Sequence, residues 1–85
     1  MRRPTREIGP LVWSTYADED GRPYTGASYR HIEARIHQSD TTFDWTVEAS
    51  LPDGMLAIVG SRPTFEEAIE AARNAMARLW AQPYT

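Results

Sequence analysis

The residues of this sequence that could support catalysis or metal binding are concentrated between positions 31 and 48. His31, Glu33 and His37 alternate in one segment, and Asp44 and Glu48 alternate in the next. Every second residue of a β-strand projects to the same face, so this spacing alone would indicate a cluster of histidine and carboxylate side chains. Six residues separate the two histidines, however, which is about 20 Å along a strand. We predict that they do not bind one metal ion and that His31 and Glu48 form an exposed ion pair, which contributes at most about 1 kcal/mol.

Two other chemical patterns are incomplete. The segment Asp18–Gly21, with sequence DEDG, is similar to the start of a calcium-binding loop, but Arg22 and Pro23 follow it and the later ligands are missing. The serines lie in predicted strands or turns without a catalytic motif, and no glycine-rich phosphate loop occurs. We therefore expect a protein that is not an enzyme and that needs no metal and no cofactor.

Composition narrows the classes of function further. The 85 residues suit one domain, the net charge is −3, and the sequence contains no cysteine. A negative charge argues against direct nucleic-acid binding, which usually requires a basic patch. The sequence has no run of about 20 apolar residues, and its N-terminus lacks an apolar signal core, so we expect no membrane association and a cytoplasmic location.

The elements that would position these residues are best defined at the C-terminal end. Thr64 is a good N-cap, Glu67 completes a capping box, and Pro83 limits the helix that follows. Apolar residues recur at helical spacing and predict one buried stripe, which consists of Phe65, Ala68, Ile69, Ala72, Met76, Leu79 and Trp80.

Four segments before the helix have the composition of β-strands. They are Leu11–Ala17, Ala27–Gln38, Thr42–Ser50 and Met55–Ser61, with a turn region at Asp18–Gly26. We expect an α+β fold, namely a four-stranded antiparallel β-meander with one C-terminal helix packed on one face, in the order ββββα. Residues 1–10 are predicted to form a flexible arm and residues 11–85 a single domain.

The second and third predicted strands can be aligned by their side chains. A two-residue turn at Ser39–Asp40 would place Ile36 opposite Phe43 and Arg35 opposite Asp44, which are favourable pairs. A register longer by two residues would instead place two glutamates, Glu33 and Glu48, opposite each other. We therefore predict the shorter register.

The third and fourth strands are connected by a predicted β-turn at Leu51–Gly54. The resulting register places Gly60 opposite Trp45, where the missing side chain leaves room for the indole. It also turns Met55, Ala57 and Val59 away from the helix. These residues are either scattered exposed apolar residues, which are common, or part of an association surface.

The candidate partner-binding residues combine exposed tyrosines, which often anchor interfaces, with the outward side chains of the last strand and the acidic turn. They are Asp18, Glu19, Asp20, Tyr24, Tyr29, Met55, Ala57 and Val59. The acidic turn suits a basic surface on a protein target, such as a nucleic-acid-binding host complex. If the last strand is a sheet edge, its backbone could also pair with a second chain, so a homodimer stays open.

The segment Trp45–Ala72 resembles the strand–turn–strand–helix half of HicB-type antitoxins. The matching positions are Val47, Pro52, Asp53, Thr64, Glu67, Ala68 and Ala72. This resemblance implies an antitoxin-like or self-associating structural module as one possible function.

The whole chain is also similar in type to small phage-encoded inhibitors, anti-CRISPR proteins among them. These proteins are short, poor in cysteine, often acidic, and built from one sheet with one or two helices. The resemblance implies a non-enzymatic inhibitor that blocks a surface of a host defence complex, and it assigns no individual residue. We favour this function over the antitoxin-like module.

Overall fold

The computed structural model describes residues 9–81. These residues form five β-strands and one helix: β1 (Ser14–Ala17), β2 (Pro23–Tyr29), β3 (Ile32–Gln38), β4 (Phe43–Leu51), β5 (Gly54–Arg62) and α1 (Phe65–Ala81). The strands form one antiparallel sheet in the order β1-β2-β3-β4-β5, so each pairs with its neighbours in sequence. The predicted flexible arm, residues 1–10, lies almost entirely outside the described residues.

The predicted α+β class, antiparallel sheet and C-terminal helix are confirmed, but the prediction of four strands is wrong. The segment predicted as one strand over Ala27–Gln38 is divided by a tight turn at Arg30–His31, where Arg30 has a φ of 59°. The part before this turn belongs to β2, which begins at Pro23 inside the predicted turn region. A positive φ is uncommon without glycine, so this turn has no strong sequence signal.

Helix α1 begins with the predicted cap. The Thr64 hydroxyl accepts a hydrogen bond from the backbone N–H of Glu67 at 3.2 Å and donates one to the Glu67 carboxylate at 3.0 Å. The glutamate therefore contacts the hydroxyl of Thr64, where a full capping box would use the Thr64 amide. The acidic side chains Glu66 and Glu67 lie in the first turn and complement the helix dipole.

The hydrophobic core lies between α1 and the face of the sheet that it covers, here called the inner face. Helix α1 packs chiefly against β4 and β3 and less against β5. The fully buried side chains come from the middle of the sheet and from the helix stripe: Ile32, Ala34, Val47, Ala49, Ala68, Ala72, Ala75 and Met76. Phe65 was predicted in this stripe but remains 37% exposed, at the rim of the core.

The register between β4 and β5 is the predicted one. Trp45 lies opposite Gly60, and Val47 lies opposite Ile58. A Cβ atom built on Gly60 would lie 2.6 Å from Cζ2 of Trp45, which is far inside van der Waals contact. The glycine is therefore required for the indole to lie flat against β5.

The register between β3 and β4 is longer by two residues than the predicted one. Ile36 lies opposite Trp45, and Glu33 lies opposite Glu48, the arrangement that charge repulsion was expected to exclude. Glu33 instead forms an ion pair with Arg35 on its own strand, at 3.1 Å. This contact offsets the repulsion, and a longer turn closed by a hydrogen bond from Ser39 N to Thr42 O connects the strands.

Candidate functional site

The face of the sheet opposite α1, here called the outer face, is not covered by any of the described residues 9–81. Cross-strand neighbours on this face form rows that run from β1 to β5. The first row consists of Tyr16, Tyr24, His37, Asp44 and Ser61, in which Tyr24 and His37 are neighbours through their stacked rings. The second row consists of Ser14, Gly26, Arg35, Thr46 and Val59.

An aromatic cluster occupies the β1–β3 part of the outer face. The Tyr24 ring stacks on Tyr16 with centroids 5.6 Å apart and on His37 with centroids 5.1 Å apart. The guanidinium carbon of Arg35 lies 5.3 Å from the centre of the Tyr24 ring, within range of a cation–π contact. Neighbouring Glu33 raises the pKa of Arg35 above its ordinary value, and arginine is in any case protonated in folded proteins.

The acidic turn between β1 and β2 is organised by Asp18. Its Oδ1 atom accepts hydrogen bonds from the backbone N–H groups of Asp20 and Arg22, both at 2.9 Å. Gly21, with a φ of 79°, donates its N–H to the Asp18 carbonyl at 3.0 Å. Asp18 therefore shapes the turn, while the exposed side chains of Glu19 and Asp20 project from it.

The aromatic cluster and the acidic turn together enclose a shallow depression of about 500 Å³. It is lined by Ala17, Asp18, Glu19, Asp20, Tyr24, Arg35 and His37. The Nε2 atom of His37 lies 4.0 Å from Oδ2 of Asp18, so the aromatic cluster and the acidic turn are adjacent. The structure thus brings four of the predicted partner-binding residues into one place.

The remaining outward residues of the prediction lie at the other margin of the outer face. Met55 is 61% exposed, Val59 is 68% exposed, and Ala57 between them is also exposed. Their strand, β5, is separated from β1 by four strand spacings, roughly 19 Å. The predicted residues therefore form two groups on one face and not a single cluster.

Tyr29 does not belong to either group, and its predicted outward orientation is wrong. The turn at Arg30–His31 breaks the alternation between β2 and β3. As a result Tyr29 packs on the inner face, with its ring edge-on to Trp80 at 5.1 Å. His31 lies in the turn, and Glu48 is opposite Glu33 in the sheet, so His31 and Glu48 are not directly opposed as predicted.

Asp44 is the most heavily hydrogen-bonded carboxylate of the outer face. It accepts hydrogen bonds from the hydroxyls of Ser39 at 2.5 Å, Ser61 at 2.6 Å and Thr42 at 3.1 Å. These donors stabilise the ionised form and lower the pKa of Asp44, with Ser39 the largest contributor. A carboxylate held ionised in this way is a weak proton acceptor, and its position ties the β3–β4 turn to β5. Arg35, its predicted partner, lies opposite Thr46.

Sequence reasoning missed Arg35 and His37 as parts of the candidate site. Their signal is the alternation within β3, because Arg35 and His37 project to the same side. Without β2 in its correct place, however, nothing in the sequence brings Tyr24 beside them.

Several comparisons return no match. A scan against protein-family models finds none, and searches among curated proteins and solved structures find none either.

Within residues 9–81, no group of three or more His, Asp or Glu side chains is arranged to bind a metal ion. No helix in the same range has the length and apolar character to cross a membrane.

Proposed function

We propose that this protein is a small non-enzymatic inhibitor that binds a protein target through the outer face of its sheet. The observation that carries the proposal is the depression on this uncovered face, which combines acidic side chains with an aromatic cluster. Tyrosine rings supply a large contact area at a small entropic cost, and acidic side chains attract a basic partner. The type of target that best fits is a nucleic-acid-binding host defence complex, such as a CRISPR–Cas complex, whose basic surface the protein would block.

Each group on the outer face has its own part in this binding. Glu19 and Asp20 project at the rim of the depression, where they can pair with arginine or lysine side chains of the target. Tyr24 offers its ring beside them. Met55 and Val59, at the β5 margin, supply apolar area that binding would remove from water.

The proposal is tested by capture from the lysate of a bacterium that carries such a defence complex. We expect the tagged protein to retain the complex in stoichiometric amounts. The double variant Ala57→Lys/Val59→Lys should lose the complex, because it places two charges in the apolar contact. The double variant Glu19→Lys/Asp20→Lys should weaken retention at least tenfold, and the weakening should diminish at high salt.

The matched control is Glu66→Lys on the exposed side of α1. It changes the net charge by the same two units as Ala57→Lys/Val59→Lys but lies away from the outer face. Retention by this control, with loss by the two outer-face variants, would support the proposal. Equal retention by all variants would contradict the placement, and retention of no defence component by the unaltered protein would contradict the function.

A further inference from the structure

The edge of the sheet at β5 has the features of a pairing surface. Within the described residues β5 is an edge strand of nine residues, and it pairs with β4 over its whole length without a bulge. Edge strands usually avoid association through short length, bulges, proline or charged side chains. Only the last residue of β5, Arg62, is charged, and the strand contains no proline. The opposite edge strand, β1, has four residues.

Both sides of β5 are apolar and incompletely covered. Met55 and Val59 are exposed on the outer face, as described above. On the inner face Leu56 is 40% exposed, because α1 lies chiefly over β3 and β4. Pairing with another strand would place these side chains beside those of the partner strand on both faces, which removes part of their apolar surface from water.

The charges at the two ends of β5 identify the partner. Asp53 directly precedes the strand, and Arg62 ends it. In an antiparallel two-fold pairing with Ile58 opposite Ile58, all nine residues of each copy are paired. Arg62 of each copy then lies beside Gly54 and Asp53 of the other. Opposite charges therefore meet at both ends of the pair.

The flank of α1 nearest to β5 also carries opposite charges at its two ends. Residues three or four apart lie on one side of a helix. The residues on this flank are Glu67, Ala71, Asn74 and Arg78. Glu67, Ala71 and Asn74 line a shallow groove together with Arg62 of β5. The opposite flank carries Trp80, which contacts Tyr29 of β2. A two-fold axis at β5 makes the two copies of α1 antiparallel. The end of one helix that carries Glu67 is then at the same end of the dimer as Arg78 of the other helix.

We propose that this protein forms a two-fold homodimer in which two β5 strands pair into one continuous ten-stranded sheet. Nine residues at about 3.3 Å give a contact about 30 Å long. The dimer needs no target, so it goes beyond the proposed function. It would place two exposed apolar margins of the outer face side by side.

The test is analytical ultracentrifugation of the purified protein between about 1 and 500 µM. We expect a species of twice the 9.7 kDa chain mass. Arg62→Asp and Asp53→Arg should each raise the dimer dissociation constant at least tenfold, because each opposes like charges at both ends. The double variant Asp53→Arg/Arg62→Asp should return to within threefold of the unaltered protein.

This rescue is specific to the dimer. Within one copy the two residues lie at opposite ends of a nine-residue strand, roughly 30 Å apart, so they do not interact directly. Glu66→Arg is the matched control, with a charge reversal outside the interface, and it should leave the dissociation constant unchanged. A protein that is monomeric at every concentration would overturn the proposal, and so would a dimer that the end charges do not affect. Neither result depends on the target, so it leaves the proposed function untouched.

Discussion

The inner and outer faces of the sheet are built from the same strands but are stabilised differently. The inner face is apolar and covered by α1, and many of its side chains have no exposed surface. The outer face is held by contacts that are partly open to solvent, among them ring stacking, hydroxyl–carboxylate hydrogen bonds and the ion pair of Glu33 with Arg35. The fold therefore depends mainly on the inner face.

The largest expected difference between the faces concerns two valines in the same hairpin. Val47 is completely buried on the inner face, whereas Val59 is exposed on the outer face. Val47→Ala should lower the free energy of unfolding by about 2 kcal/mol, because it removes two methyl groups and leaves a cavity. Val59→Ala should change it by less than about 0.5 kcal/mol. Urea denaturation of both variants measures this, and equal losses would contradict the division between the faces.

A smaller effect is expected in the acidic turn, where one aspartate shapes the backbone and its neighbour does not. Asp18→Ala should cost about 1 kcal/mol, because two backbone N–H groups lose their side-chain acceptor. Asp20→Ala should leave the free energy of unfolding unchanged within about 0.5 kcal/mol. Thermal unfolding of the two variants provides the comparison. A turn that tolerates both changes equally would show that Asp18 is not its organiser.

The smallest effect concerns the pH dependence of the outer face. The pKa of Asp44 is lowered in the folded state by its hydroxyl donors, from an ordinary value of 3.8. The unfolded chain therefore takes up a proton at higher pH than the folded one, and stability is lost as the pH falls. Relative to Asp44→Asn, the unaltered protein should have its full advantage well above pH 3.8. The advantage should disappear as the pH falls through the lowered pKa.

Ser39→Ala should remove part of this pH dependence, because Ser39 makes the largest contribution to the lowered pKa of Asp44. Denaturant unfolding at a series of pH values should give a weaker pH dependence for this variant than for the unaltered protein. Parallel pH profiles for all three proteins would contradict the assignment of these hydrogen bonds.

The sequence was sufficient to predict the C-terminal half of the fold. The cap at Thr64, the helix stripe and the pairing of Trp45 with Gly60 all depend on residues close in sequence. Their signals are turn chemistry, helical spacing and the fit of one large side chain against a glycine. Such local signals do not depend on knowing the rest of the structure.

The N-terminal half was not predictable in the same way. The turn that divides β2 from β3 uses Arg30 in a left-handed conformation, and the sequence provides no glycine there. The register of β3 against β4 was predicted from the repulsion between Glu33 and Glu48. The in-strand contact of Glu33 with Arg35 relieves this repulsion, and the alternation pattern gives no sign of it. These two errors moved Tyr29 to the wrong face and hid the aromatic cluster around Tyr24.

The strand order has a consequence for folding kinetics. Every pairing in the sheet joins strands that are adjacent in the chain, and α1 follows directly after the β4–β5 hairpin. Forming these contacts closes only short loops, so the entropy lost before the first stabilising contacts is small. We expect the β4–β5 hairpin and α1 to form the folding nucleus, with β1 and β2 added afterwards. Because α1 follows all five strands in the chain and supplies much of the core, we expect stable structure to form only after α1 has been synthesised.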